Sequence, residues 1–126
     1  MYNLFDPQVI RVYKGNSLDI SIVINDTETD EFVIIEDGDT VLFTVKNANV
    51  ETVIKKQLTS LDISEDDGHS LNLALSPADT MLVTGEYKYD VLLVTSDGQA
   101  ITIISSAFIV EPVSGLITDI GKDDGE

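Results

Sequence analysis

An all-β sandwich is the fold this sequence predicts, and three observations predict it. Short runs of the chain are apolar at every second position, the period of a strand with one buried face. Leu18, Ile20, Ile22 and Ile24 form one such set, and Val41, Phe43 and Val45 another. Gly, Asp and Asn punctuate the chain at spacings of roughly 8–12 residues, which suits a sandwich or barrel. β-Branched residues are abundant, and no stretch supports a helix longer than about two turns. At 126 residues the chain is expected to form one domain with a substantial core.

Residues 8–14 open the domain as a short strand, with Val9, Val12 and Tyr13 apolar and Lys14-Gly15-Asn16 as its turn. Residues 17–25 alternate most cleanly, with Asp19, Ser21 and Val23 on the other face. The polar 25–31 segment is a surface loop. Phe32-Val33-Ile34-Ile35 reads as a brief strand, and Glu36-Asp37-Gly38-Asp39 turns the chain. Residues 40–47 send Val41, Phe43 and Val45 inward, and Asn47-Ala48-Asn49 forms a hairpin loop. Residues 51–60 place Val53 among Lys55, Lys56 and Gln57. A solvent face with two of the seven basic residues suits an edge strand. Leu61 and Ile63 lead into the acidic turn at 64–68, and Leu71, Leu73 and Leu75 line one face of the next strand.

The stretch 76–98 organises the rest. Ser76 caps a short helical turn near residues 77–82, Pro77 takes its first position, and Asp79 lies near its positive end. Gly85 stops that turn, and Tyr87, Tyr89, Val91 and Leu93 then alternate as a strand. Asp97-Gly98 makes a tight hairpin into 99–104. Ser105-Ser106 interrupts the returning strand as a bulge, Phe108 and Val110 finish the core, and Pro112 closes the domain. In immunoglobulin-like folds a Tyr after such a crossing ties its hydroxyl to the backbone upstream. Either Tyr87 or Tyr89 fits that corner position. The expected fold is therefore an immunoglobulin-like antiparallel β-sandwich of about seven to nine strands over residues 1–112. Its core is Leu18, Ile20, Ile22, Val41, Phe43, Val45, Leu73, Val91, Leu93, Ile103 and Phe108. Residues 113–126 read as an acidic, flexible tail. Its apolar island, Leu116, Ile117 and Ile120, is expected to dock either on the domain or on a neighbouring subunit.

The sequence offers little chemistry. The absence of cysteine excludes disulfides, thiolate metal sites and a cysteine nucleophile. No apolar run is long enough to span a membrane, and the first residues lack the pattern of a signal peptide. A formal charge of −16 disfavours nucleic acid and anionic lipid as partners. His69, the single histidine, has no triad or ligand set placed around it by the sequence. Asp37-Gly38-Asp39 and Asp66-Asp67-Gly68 offer oxygens for Ca²⁺ without EF-hand spacing, and ordinary turn chemistry accounts for them. Paired carboxylates at Glu65-Asp66-Asp67 and Asp123-Asp124 lie in solvated segments, unlike a general acid whose pKa burial raises. There is no nucleophile elbow and no phosphate-cradling loop. No catalytic residue, metal or cofactor is expected.

Six motifs in series resemble a family. They are Gly38-Asp39-Thr40-Val41, Leu75-Ser76-Pro77-Ala78-Asp79-Thr80, Gly85-Glu86-Tyr87-Lys88-Tyr89-Asp90-Val91, Ser96-Asp97-Gly98, Thr102-Ile103-Ile104 and Phe108-Ile109-Val110. Their order and spacing over residues 8–112 resemble short immunoglobulin-like structural proteins of tailed phages and prophages of Gram-positive bacteria. They are also similar to the N-terminal domain of phage baseplate upper proteins. The resemblance implies a non-catalytic virion structural or assembly protein, made in the host cytoplasm. Its partners would be other virion proteins, or further copies of itself in a homo-oligomer. The alternative is a bacterial extracellular module, adhesin-like or carbohydrate-binding, against which the lack of Trp and of a signal peptide counts.

Overall fold

The alternating runs become strands wherever one of their faces finds a core. The computed structural model describes residues 2–4, 9–26 and 28–112. The 113–126 stretch, with Leu116, Ile117 and Ile120, lies outside the described residues. The strands are β1 (Tyr2–Leu4), β2 (Ile10–Tyr13), β3 (Leu18–Ile22), β4 (Ile24–Asp26), β5 (Glu31–Phe32), β6 (Thr40–Lys46), β7 (Thr52–Leu58), β8 (Leu71–Leu75), β9 (Gly85–Val94) and β10 (Ala100–Glu111). One 3₁₀ turn, Ser60–Asp62, stands between β7 and β8.

A five-stranded sheet runs β2-β10-β9-β6-β7. Opposite it lie the pair β3-β8 and the sheet β1-β4-β5, joined in the chain where Val23 alone separates β3 from β4. Ile22, Ile24, Leu71, Leu73 and Leu75 from the small sheets share one core with Val41, Phe43, Val45, Val91, Leu93 and Phe108 from the large one. The chain crosses from the large sheet at β7 to the small one at β8 and back at β9. This is an immunoglobulin-like β-sandwich.

The structure departs from the expectations in several places. One strand pair, β2 with β10, is parallel. These two strands stand at opposite ends of the domain sequence, so the whole intervening chain serves as their connection and no dedicated crossover is needed. The bulge of β10 falls between Thr102 and Ile104, ahead of Ser105-Ser106. Buried Ile103 and buried Phe108 differ in parity, so one extra residue must sit between the two faces they define. The 17–25 run divides: β3 pairs with β8, while β4 pairs with β1 and β5. Leu18 and Ile20 are only half-buried in consequence, away from the sandwich centre. Residues 33–36 are irregular, anchored by Ile35 in the core and by Val33 N–H donating to the Ile24 carbonyl at 2.8 Å. In β7 the buried residues are Ile54 and Leu58, so Lys56 stands on the inner face beside Phe43. The 77–82 segment forms turns and bends, without a helix.

Phe108 is fully buried and Val83 is 77% exposed. Phe108→Ala is expected to cost about 3–5 kcal/mol and Val83→Ala less than about 0.5 kcal/mol in urea unfolding. Similar losses for the two would remove Phe108 from the centre of the core.

Candidate functional site

The chain leaves β8 at Leu75, and its backbone groups lose their ladder partners while it crosses to β9. Side chains replace them. The Asp79 carboxylate Oδ2 accepts from Ser76 N–H at 2.8 Å and from the Ser76 hydroxyl at 3.0 Å. Ser76 Oγ in turn accepts from Asp79 N–H at 3.2 Å, a reciprocal box. Lys56 Nζ, reaching from β7, lies 2.8 Å from the same Asp79 oxygen and so ties the large sheet to the crossing. The Lys56 hydrogen bond, and after it the Ser76 N–H, holds the Asp79 carboxyl below its ordinary pKa.

Thr80 is fully buried. Its hydroxyl donates to the Asn16 carbonyl at 2.7 Å, and its own carbonyl accepts from Gly15 N–H at 3.2 Å. The turn after β2 is thereby fixed to the crossing. Tyr87 is the tyrosine whose hydroxyl reaches back across the corner, donating to the Val83 carbonyl at 2.5 Å. Tyr89 is buried two residues on, its ring 5.5 Å from that of Phe43. Gly85 opens β9 at φ +150°, a conformation side chains disfavour. Pro77 is exposed. Ser76, Pro77, Asp79, Gly85, Tyr87 and Tyr89 therefore sit together as a structural corner. Lys56 and Thr80, the last residue of the motif Leu75–Thr80, belong to the same constellation. The sequence puts Lys56 on the solvent face of its strand, and nothing local to Thr80 announces a hydroxyl bonded to the turn after β2.

The acidic turns follow the same pattern. Asp39 Oδ2 accepts from Glu36 N–H at 3.1 Å, and Oδ1 accepts from Ser96 N–H at 2.9 Å, joining two loops. Gly38 between them has φ +92°, and an added Cβ would stand 2.9 Å from the Ser96 Cβ. Asp37 accepts from the Ser60 hydroxyl at 2.9 Å. Asp67 accepts from His69 N–H, from Ser70 N–H, both at 2.9 Å, and from the Ser70 hydroxyl at 2.5 Å. These bonds, the Ser70 hydroxyl first, lower its pKa to about 2. Asp97 accepts from the Thr95 hydroxyl, which lowers its pKa as well. His69 stacks on Phe32, rings 3.9 Å apart and nearly parallel, and its Nε2 is 3.7 Å from Asp67 Oδ2.

A groove of about 470 Å³ opens beside the β6–β7 hairpin, lined among others by Lys46, Val50, Glu86, Lys88 and Asp90. Lys46 and Lys88 are cross-strand partners, and Glu86 and Asp90 flank Lys88 along β9, so the groove carries both signs of charge. Val50 at its rim has φ +62° and is 72% exposed, strained for a β-branched residue.

No family model matches the chain, and no curated protein matches it. Solved structures do. Part of a family 76 glycoside hydrolase from a bovine Bacteroides thetaiotaomicron strain aligns with a TM-score of 0.52 at 12% identity, over 86% of this chain and 20% of that one. CopC from Methylosinus trichosporium OB3b aligns at 0.49 and 15%, over 90% of this chain and 97% of its own. The fibronectin(III)-like modules of Clostridium thermocellum CbhA align at 0.45 and 17%, over 90% and 100%. Likeness at these identities is one of fold.

Tyr87→Phe is expected to cost about 1 kcal/mol, the net worth of one hydrogen bond whose carbonyl partner can turn to water; a loss below about 0.3 kcal/mol in denaturant unfolding would deny the corner bond any role. Asp67 makes one of the acidic turns depend on pH. Its folded pKa of about 2 lies below the ordinary 3.8, so its contribution is complete above 3.8 and is lost as pH falls toward 2. Asp67→Asn should therefore melt lower than the parent at pH 7, with the gap closing across that window. A gap independent of pH would show that the charge is not what stabilises the turn.

Proposed function

We propose that this chain is a non-catalytic structural or assembly module of a phage or prophage virion, acting through contacts with other virion proteins. The observation that carries the reading is the use made of its carboxylates. Asp39, Asp67, Asp79 and Asp97 each accept hydrogen bonds that hold a turn or a crossing, and their shifted pKa values, where resolved, all move down. A general acid needs the opposite shift. Such side chains build a rigid frame, and a rigid sandwich with strand edges is suited to binding other proteins. The series of motifs from Gly38 to Val110, which resembles short phage structural proteins, supports the virion setting.

Particles produced by the encoding genome, banded by density and probed with an antibody against the chain, test this. The chain is expected to co-sediment with intact particles and to remain after a high-salt wash. Recovery only in the soluble lysate would overturn the virion reading, and recovery on the bacterial surface would favour the adhesin-like alternative.

A further inference from the structure

The strand edges of this sandwich are guarded unequally. β7 closes one side of the large sheet; its pairing with β6 shifts register at Val45/Lys46, and Lys56 stands on its inner face. Bulges and inward charges keep an edge from templating another strand. β2 closes the other side with four residues and an exposed Arg11. β3 carries exposed Asp19, and β5 is two residues long and begins with Glu31. β8 has none of these devices. Its sequence is Leu-Asn-Leu-Ala-Leu, without charge or proline, and its register with β3 is unbroken. On its far side an isolated bridge joins Leu71 to Ile63, and beyond it residues 72–75 have no strand neighbour among the described residues. The 3₁₀ turn packs beside β8 and presents Leu61 at 93% exposure.

We infer that the outer edge of β8 over residues 72–75, together with Leu61, is a strand-addition site for an extended segment of another polypeptide flanked by basic residues. The inference rests on the reading of this chain as a contact-making module. Main-chain bonds to the open edge supply affinity, and an apolar side chain over Leu61 supplies register. Charge selects the occupant. The formal charge is −16, and exposed Glu65 and Asp66 stand in the turn beside the Leu71 end of the strand. A second copy brings the same charge and is repelled, whereas a basic-flanked strand is attracted.

Two synthetic peptides with one alternating Val-Thr core, one flanked by Lys and the other by Glu, titrated into the ¹⁵N-labelled full chain, test this. The Lys-flanked peptide is expected to shift the amides of residues 61 and 71–75 and to give cross-strand NOEs to β8, and the Glu-flanked peptide to bind about tenfold more weakly. Ala74 and Leu61 are exposed, so Ala74→Lys and Leu61→Ser should leave the core spectrum intact. They are expected to weaken the Lys-flanked peptide about tenfold and about threefold. Shifts confined to β2 or β7, no localised shift at millimolar peptide, or equal binding by both variants would overturn the site. Concentration-dependent dimerisation of the full chain through β8 would overturn the assigned partner. The titration needs no particle, so its failure leaves the virion reading standing, and the sedimentation result leaves the titration standing.

Discussion

The sandwich depends on how the chain changes layers. Two of its passages between the sheets run from β7 to β8 and from β8 to β9, and in each of these a run of backbone N–H groups leaves its ladder. Buried or half-buried N–H groups without partners cost about 1–3 kcal/mol each, comparable to much of a domain's net stability. The chain answers both passages with one device. Thr59 and Asp62 exchange hydrogen bonds at the first, and Ser76 and Asp79 at the second. Each is a hydroxyl residue followed three positions later by aspartate, so the acceptor is carried by the segment that needs it.

Once the crossings are fixed, other parts are fixed by them. Thr80 holds the turn after β2, which keeps β2 alongside β10, and Lys56 bridges from β7 to Asp79. Both layers and both edge strands of the large sheet thus converge on a segment of five residues, 76–80. The Lys56–Asp79 pair is partly exposed, with side chains 33% and 21% accessible, so its direct electrostatic contribution is modest. It also fixes position, because Lys56 of β7 stands half-buried opposite Phe43 while its ammonium reaches the crossing.

Alternation was the legible part. Val41, Phe43, Val45, Val91 and Leu93 are buried where their period places them, because a strand in the middle of a sheet has one face that must be inward. What alternation cannot show is the partner. The break at Val23, the parallel β2–β10 pair and the inward Lys56 are decided by neighbours distant in sequence. The bulge in β10 shows the limit most clearly. Opposite parities at Ile103 and Phe108 require one extra residue, yet any position between them satisfies the count. The two serines marked a weak spot for packing, whereas pairing against Leu92 and Val91 chose the position beside Ile103. The corner was legible as a group of residues, since Ser, Pro, Asp, Gly and Tyr each have a local conformational reason to be there. Which tyrosine reaches back depends on where β9 begins relative to Val83, and that is a tertiary matter.

The acidity has two roles that composition alone merges. Some carboxylates are structural acceptors, and protonating them would release N–H groups in the turns they close. The remainder, such as Glu65 and Asp66, face solvent and contribute a field. That field raises the cost of bringing two copies together and leaves neutral strands as the surfaces where another chain can approach closely. β8 itself is neutral: its outward residues are Asn72 and Ala74, paired across the strands with Ser21 and Asp19, while its inward leucines are buried in the core. An edge protected by charge would have needed a lysine or glutamate in place of one of those two residues, as β2, β3, β5 and β7 carry Arg11, Asp19, Glu31 and Lys55. The same substitution is absent where Leu61 is fully exposed, so the uncharged edge and the exposed leucine form one surface.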